Sequence, residues 1–200
     1  MPRRPRPSRS RQPEGLLACL TGTLARSGCE LLHVDGSAKG AFRLSWEDLL
    51  LQRAGLRGLL VPLVRRDRNP GSADATLKIA GTSTSDTDPF GLFTSVLLGV
   101  DPSRDLFIAF DPARHFPEDE PLRVSISAAL LRRVLAQGWH AWEREVYERD
   151  GTGFAETLVG FTAPHLVRYV LFERLASGLD TGHRQLLAER FCSSVLRRRG

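Results

Sequence analysis

Two hundred residues, 42% of them hydrophobic and 26% charged, suffice for one sizeable domain with a real core. No apolar run approaches the roughly 20 residues of a membrane-spanning helix, and the opening MPRRPRPSRSRQPEG lacks the apolar centre of a secretory signal. Three cysteines, Cys19, Cys29 and Cys192, have no metal-ligand spacing and fit a reduced, cytoplasmic compartment.

The net charge of +5 is concentrated at the ends: residues 1–14 carry +4 and Arg197, Arg198 and Arg199 add +3, which leaves residues 15–196 at −2. A Pro/Arg/Ser segment buries too little apolar surface to offset its ordering entropy, so residues 1–14 are expected to be a disordered basic tail. Residues 15–200 are expected to form a single α+β domain, a mixed, mostly antiparallel sheet with flanking helices.

Along the chain, EGLLACLTGTLARSG places Leu16, Leu20 and Leu24 at helical spacing and stops at Gly28. CELLHVDG reads as a strand. AFRLSWEDLLLQRAG reads as a strand passing into a helix, capped by Ser45 and ended by Gly55. LRGLLVPLV reads as a strand kept from the sheet centre by Pro62, paired with ATLKIAG in a hairpin whose polar tip is RRDRNPGSAD. TSTSDTDPFG is a loop by composition. TSVLLGV and DLFIAF flank the turn sequence DPSR and form a second hairpin.

LRVSIS is a short strand, after which Ser127 caps AALLRRVLAQG. In that helix Leu130, Leu131, Val134 and Leu135 share one face, opposite Arg132, Arg133 and Gln137. WHAWEREVYERD and FAETLVGF form a third hairpin through DGTG. Their spacing of three places Trp139 and Trp142 on opposite faces. Thr162 is expected to cap APHLVRYVLFERLASG, and HRQLLAERFCSSVLRRR closes the chain as a helix with a basic last turn.

Few residues are arranged for catalysis. No serine lies in a nucleophile elbow, and His140, His165 and His183 are scattered without metal spacing. A restriction-type nuclease needs a carboxylate two residues before its lysine; Thr76 and Ser37 hold those places before Lys78 and Lys39, and neither binds a divalent ion as a carboxylate does. Asp67, Asp74 and Lys78 remain as a divergent alternative to that site. No cofactor is implied. The turn that ends LFIAFDPARHF collects Asp111, Arg114 and His115 at a strand exit; Asp111 is expected to cap the turn, and Arg114 to pair with an acid of PEDEP.

Binding is better supported than catalysis. Between residues 53 and 78, Arg53, Arg57, Arg65, Arg66, Arg68 and Lys78 meet only Asp67 and Asp74, a local +4 within an acidic body. Guanidinium matches phosphate and guanine geometry, so an arginine-rich hairpin tip suits a nucleic-acid contact.

TSVLLGVDPSRDLFIAFDPARHF, LRVSISAALLRRVLAQGWHAWERE and ETLVGFTAPHLVRYVLFERL together resemble the methylase-associated domain family of bacterial restriction and anti-phage loci. Gly99, Asp105, Phe107, Phe110, Asp111, Arg114, His115, Ser125, Leu130, Gly138, Glu156, Phe161 and Tyr169 carry the resemblance, which spans residues 55–172. Members tend to have a polar strand where this chain reads TLKIAG, so Lys78 is the basic contact left there. The resemblance implies a non-catalytic subunit that helps recognise DNA or adapts a larger partner such as a methylase, nuclease or ATPase. Its expected nucleic-acid contacts are Arg65, Arg66, Arg68, Lys78, Arg114 and His115. The two competing expectations are the divergent nuclease and an interaction subunit docked through its last helix.

Overall fold

The computed structural model describes residues 12–37, 39–49, 51–67, 73–79, 92–115, 122–147 and 153–196, with 65–67, 73–79 and 122–123 described by their backbone pairing. The elements are α1 (Gln12–Arg26), β1 (Glu30–Gly36), β2 (Ala41–Asp48), β3 (Gln52–Pro62), β4 (Val64–Asp67), β5 (Ala73–Ile79), β6 (Thr94–Asp101), β7 (Leu106–Phe110), the single turn α2 (Pro112–His115), β8 (Leu122–Ile126), α3 (Ala128–Gln137), β9 (Trp139–Tyr147), β10 (Gly153–Thr162), α4 (Leu166–Ala176) and α5 (Thr181–Leu196).

Seven strands form one sheet in the order β1-β2-β3-β6-β7-β10-β9, and β4-β5-β8 form a second. Every pairing is antiparallel except β3 with β6. This is the α+β, mostly antiparallel architecture that the sequence implies. Strand alternation sends Val96, Leu98, Val100, Phe107, Ala109, Val159 and Phe161 to one face of the large sheet, under α1, α4 and α5. Leu97, Leu106, Ile108, Phe110 and Leu158 go to the other, where Val124 and Ile126 of β8 and Leu131 and Val134 of α3 cover them. Three layers result: helices, large sheet, and a layer made of the small sheet and α3.

Four local readings need correction. Residues 41–55 are not a strand passing into a helix but the β2–β3 hairpin, with Ser45 inside β2 and Gly55 inside β3. The buried Phe42, Leu44 and Trp46 alternate with period two, which decides the matter against the helical look of the leucines that follow. β3 lies between β2 and β6 near the sheet centre, because Pro62 is its last residue and its missing N–H falls at the ladder's end. The basic hairpin is therefore β4–β5 in the small sheet, and β3 pairs elsewhere. Thr162 caps nothing: its hydroxyl donates to the Gly138 carbonyl at 3.4 Å, and a 3-10 turn at Ala163–His165 precedes α4.

α1 begins at Gln12, inside the segment expected to be a tail; residues 1–11 lie outside the described residues. So do the TSTSDTDPFG loop, Arg68, the PEDEP segment and most of the DGTG turn. The DPSR hairpin forms as expected, with Asp101 accepting from the Ser103 N–H at 3.1 Å. Ser127 caps α3, accepting from the Leu130 N–H at 3.3 Å. Gly138 ends that helix at φ 81°, a left-handed value that glycine takes without steric cost. Gly160 lets α3 lie on β10, since a Cβ there would stand 2.4 Å from Val134 Cγ2.

Candidate nucleic-acid interface and the buried charge network

Where β7 leaves the core, Asp111 Oδ1 accepts from the Ala113 N–H at 3.1 Å, the capping role the sequence suggests for it. The α2 turn then carries His115 back against β10. There Glu156, its side chain 0% exposed, gathers three donors. His115 Nε2 lies 2.6 Å from Oε1, Arg144 Nε donates to Oε2 at 2.7 Å, and the Asp111 N–H donates to Oε1 at 3.2 Å. Arg144 stands directly across the β9–β10 ladder from Glu156, so backbone register alone sets up that pair. Burial by itself would raise the Glu156 carboxyl, but the His115 hydrogen bond and charge together with Arg144 outweigh it and hold the group below its ordinary value.

A second buried ion pair lies on the helical side of the sheet. Arg184 of α5 is 2% exposed and grips Glu173 of α4 through two bonds, Nη1 to Oε1 at 3.0 Å and Nη2 to Oε2 at 2.6 Å. The Tyr169 hydroxyl, one helical turn earlier, adds a bond of 2.9 Å to Glu173 Oε2. Arg184 Nε is 3.9 Å from Asp111 Oδ2, which brings the two networks together at the strand exit. Here burial prevails and raises the Glu173 carboxyl, despite Arg184. The Tyr169 phenol is pushed well up by burial and by the Glu173 charge.

Beside this junction is a cleft of about 410 Å³, lined among others by Asp111, Arg114, Glu173, Leu179 and Asp180. Its carboxylates do not form a metal centre: among the described residues no group of three or more His, Cys, Asp or Glu is placed to hold an ion. Arg114 is exposed at its rim, bonded to Thr181 Oγ1 at 3.3 Å and set over the Phe154 ring at 4.8 Å. His115, expected to face nucleic acid, is buried instead, its side chain 5% exposed and its Nε2 committed to Glu156. The imidazole is a fastener of the fold. Both residues belong to the strand exit.

Arg65, Arg66 and Lys78 lie in the small sheet, across the large one from the Arg184–Glu173 pair. Arg66 pairs with Asp74, Thr76 with Ser125, and Lys78 with Arg123. Directly opposed residues share a face, so the Arg66, Lys78 and Arg123 positions fall on the parity of exposed Val64 and Ser125, away from buried Val124 and Ile126. Arg65 pairs with Ala75 and falls on the other parity. The alternative nuclease trio fails the same test. Asp67 pairs with Ala73, so it takes the parity opposite to Asp74 and Lys78, and the hairpin does not bring the two acids to one face.

Together β4, β5, β8 and α3 hold six basic residues (Arg65, Arg66, Lys78, Arg123, Arg132 and Arg133) against two acids, Asp67 and Asp74. Reading the sequence alone missed Arg123, and it also missed Arg144, Glu173 and Arg184. The signal for Glu173 was present, a carboxylate one helical turn from Tyr169 within an apolar helix.

The fold and these sites define an α+β domain whose buried charges tie a strand end to two helices and whose layer of small sheet and α3 is basic. The chain belongs to the Methylase-associated X1 family, whose model matches residues 65–170. The matched span takes in the β4–β5 hairpin, the strand exit, α3 and Glu156, and the family's association is with methylases. No curated protein and no solved structure matches the chain. Among the described residues no helix is long and apolar enough to cross a membrane.

Proposed function

We propose that this chain is a non-catalytic subunit that contacts DNA for a bacterial restriction or anti-phage system, working beside a methylase. The observation that carries the reading is the layer of β4, β5, β8 and α3, basic on balance although residues 15–196 as a whole carry a net −2. Arginine and lysine on such a layer neutralise phosphates and release counterions, a source of affinity that does not depend on sequence. Arg66, Arg68 and Lys78 are the contacts of the hairpin, and Arg65 is left out because its register puts it on the parity of buried Ile126. Arg114 and His115 are left out, because one is engaged by Thr181 and Phe154 and the other is buried.

Binding of a fluorescent duplex by wild type and by the Arg66→Ala/Arg68→Ala/Lys78→Ala variant, followed across a salt series, tests this. The variant should bind every sequence more weakly, and its log–log salt slope should flatten by about 0.9 for each phosphate it no longer neutralises. Equal binding at low and moderate salt would defeat the reading. Plasmid cut in magnesium or manganese, and left intact by an Asp74→Ala variant, would make the chain a nuclease instead.

A second reading, that the chain adapts a protein partner, draws on exposed Leu175, Leu179 and Leu186 around the α4–α5 turn. It is compatible with the first, since the two surfaces lie on opposite layers.

A further inference from the structure

α3 is amphipathic in the ordinary sense on its inner side, where Leu131 and Val134 pack against the large sheet. Its outer side is less ordinary. Ala129, Arg132, Arg133 and Ala136 recur at i, i+3, i+4 and i+7, and all four are exposed. Such a stripe holds two guanidiniums between two side chains too small to keep a ligand away from the helix. Neither the Arg132 nor the Arg133 side chain has a hydrogen bond or an acidic partner among the described residues. By contrast Arg26, Arg53, Arg144 and Arg184 each have a carboxylate.

Beside the stripe, β9 turns His140 and Trp142 to the same layer, their rings stacked at 5.9 Å between centroids and both only half-buried. The three tryptophans differ in one respect. The Trp46 indole N–H donates to Asp48 and that of Trp139 to the Ala188 carbonyl, whereas that of Trp142 has no partner among the described residues. Burial, helped by the neighbouring Arg133 charge, holds the His140 imidazole below its ordinary value and so favours the neutral, stackable ring.

We infer that α3 and the His140–Trp142 pair form a second contact for double-stranded DNA, with Arg132 and Arg133 on phosphates and the indole N–H free to meet a phosphate or base edge. The inference rests on the DNA-contacting reading above and adds to it a surface separate from the β4–β5 hairpin. Ser127 alone separates β8 from α3, so the two surfaces are continuous along one layer. Close approach of an arginine-bearing helix is the geometry by which guanidinium reaches the DNA backbone or a guanine edge.

Two measurements on the full chain test it. First, Arg132→Ala/Arg133→Ala should weaken binding of a 25-base-pair duplex about tenfold at moderate salt. It should also flatten the log–log salt slope by about 0.9 per phosphate left unneutralised, while Arg132→Lys/Arg133→Lys keeps most of the slope. Alanine favours helix at exposed positions, so the thermal transition should stay in place. Second, acrylamide quenching of tryptophan emission reports on Trp142, because Trp46 and Trp139 are fully buried. Saturating duplex should protect it. If wild type binds duplex and the alanine pair matches it in affinity and slope, or Trp142 stays equally quenchable, the α3 surface is wrong and the hairpin reading stands. If wild type binds no duplex, or binds single strands only, both fall.

Discussion

Arg184 and Arg132 sit on opposite layers of the same sheet, in contrasting surroundings. Arg184 is buried, doubly bonded to Glu173 and laid over the Phe172 ring at 5.2 Å. Arg132 is exposed on α3, with no acid beside it among the described residues. The same contrast separates Arg144, bonded to Glu156, from Arg133. Identical side chains serve internal cohesion where an acid is buried beside them, on either face of the sheet, and stay exposed where none is, so neither composition nor net charge could tell them apart. What divides them is register and burial.

The largest effect should come from Glu156→Ala. It removes the acceptor of His115, Arg144 and the Asp111 N–H at once, and breaking a buried ion pair from one side costs about 3–5 kcal/mol. Denaturant unfolding should show a loss of that size. A loss below about 1 kcal/mol would mean that the network is not what closes the strand exit, and the contrast between buried and exposed arginines would weaken. The α3 arginines should behave in the opposite way: Arg132→Ala/Arg133→Ala should change stability by no more than about 0.5 kcal/mol, as substitutions at solvated surface positions do.

A smaller, pH-dependent effect sharpens the comparison inside the buried network. The Glu156 value is lowered in the folded chain, so its contribution is fully present above its ordinary carboxylate range, about 4.3, and is lost as the pH falls through the folded value. The stability gap between wild type and Glu156→Gln should hold from neutral pH to that range and then shrink. Glu173 has the opposite sign: its raised value means that ionisation costs stability as the pH climbs through it. Glu173→Gln should therefore compare most favourably with wild type at neutral pH and lose that advantage in acid. Parallel pH profiles for the two variants would contradict the directions inferred for the two groups.

Much of the architecture was legible because local signals agreed. The third hairpin, the Ser127 cap and the Gly138 stop each rest on one short stretch. The errors came where local and distant signals competed. DLLLQ looks helical, yet β2 and β3 pair across it, and Pro62 looks like an edge residue until its place at the last rung is seen. The site was legible in part. Asp111 and His115 share one short stretch, but Glu156 and Arg184 lie far along the chain from them, and so does Arg144. The β7–β10 pairing, the β9–β10 register and the packing of α5 on α4 bring those three to the strand exit. The exposed arginines could be read as basic but not as unpaired, since pairing is a property of the fold.

The smallest expected effect concerns the amino-terminal segment. Deleting residues 1–11 should leave the thermal transition unchanged within error, because that Pro/Arg-rich stretch has little apolar surface to bury. A drop of several degrees would show that it docks, and would add a third set of arginines to the comparison.

The division between buried, paired charges and the exposed basic surface is tested most directly by amide hydrogen exchange of the full chain with and without saturating duplex DNA. Slowed exchange should be confined to β4, β5, β8, α3 and the adjoining half of β9. The strand exit at 110–115 and the α4–α5 turn at 176–181 should exchange alike in both states. Protection centred on those two segments, with β4, β5, β8 and α3 unchanged, would place the DNA at the strand exit and the α4–α5 turn and contradict the account.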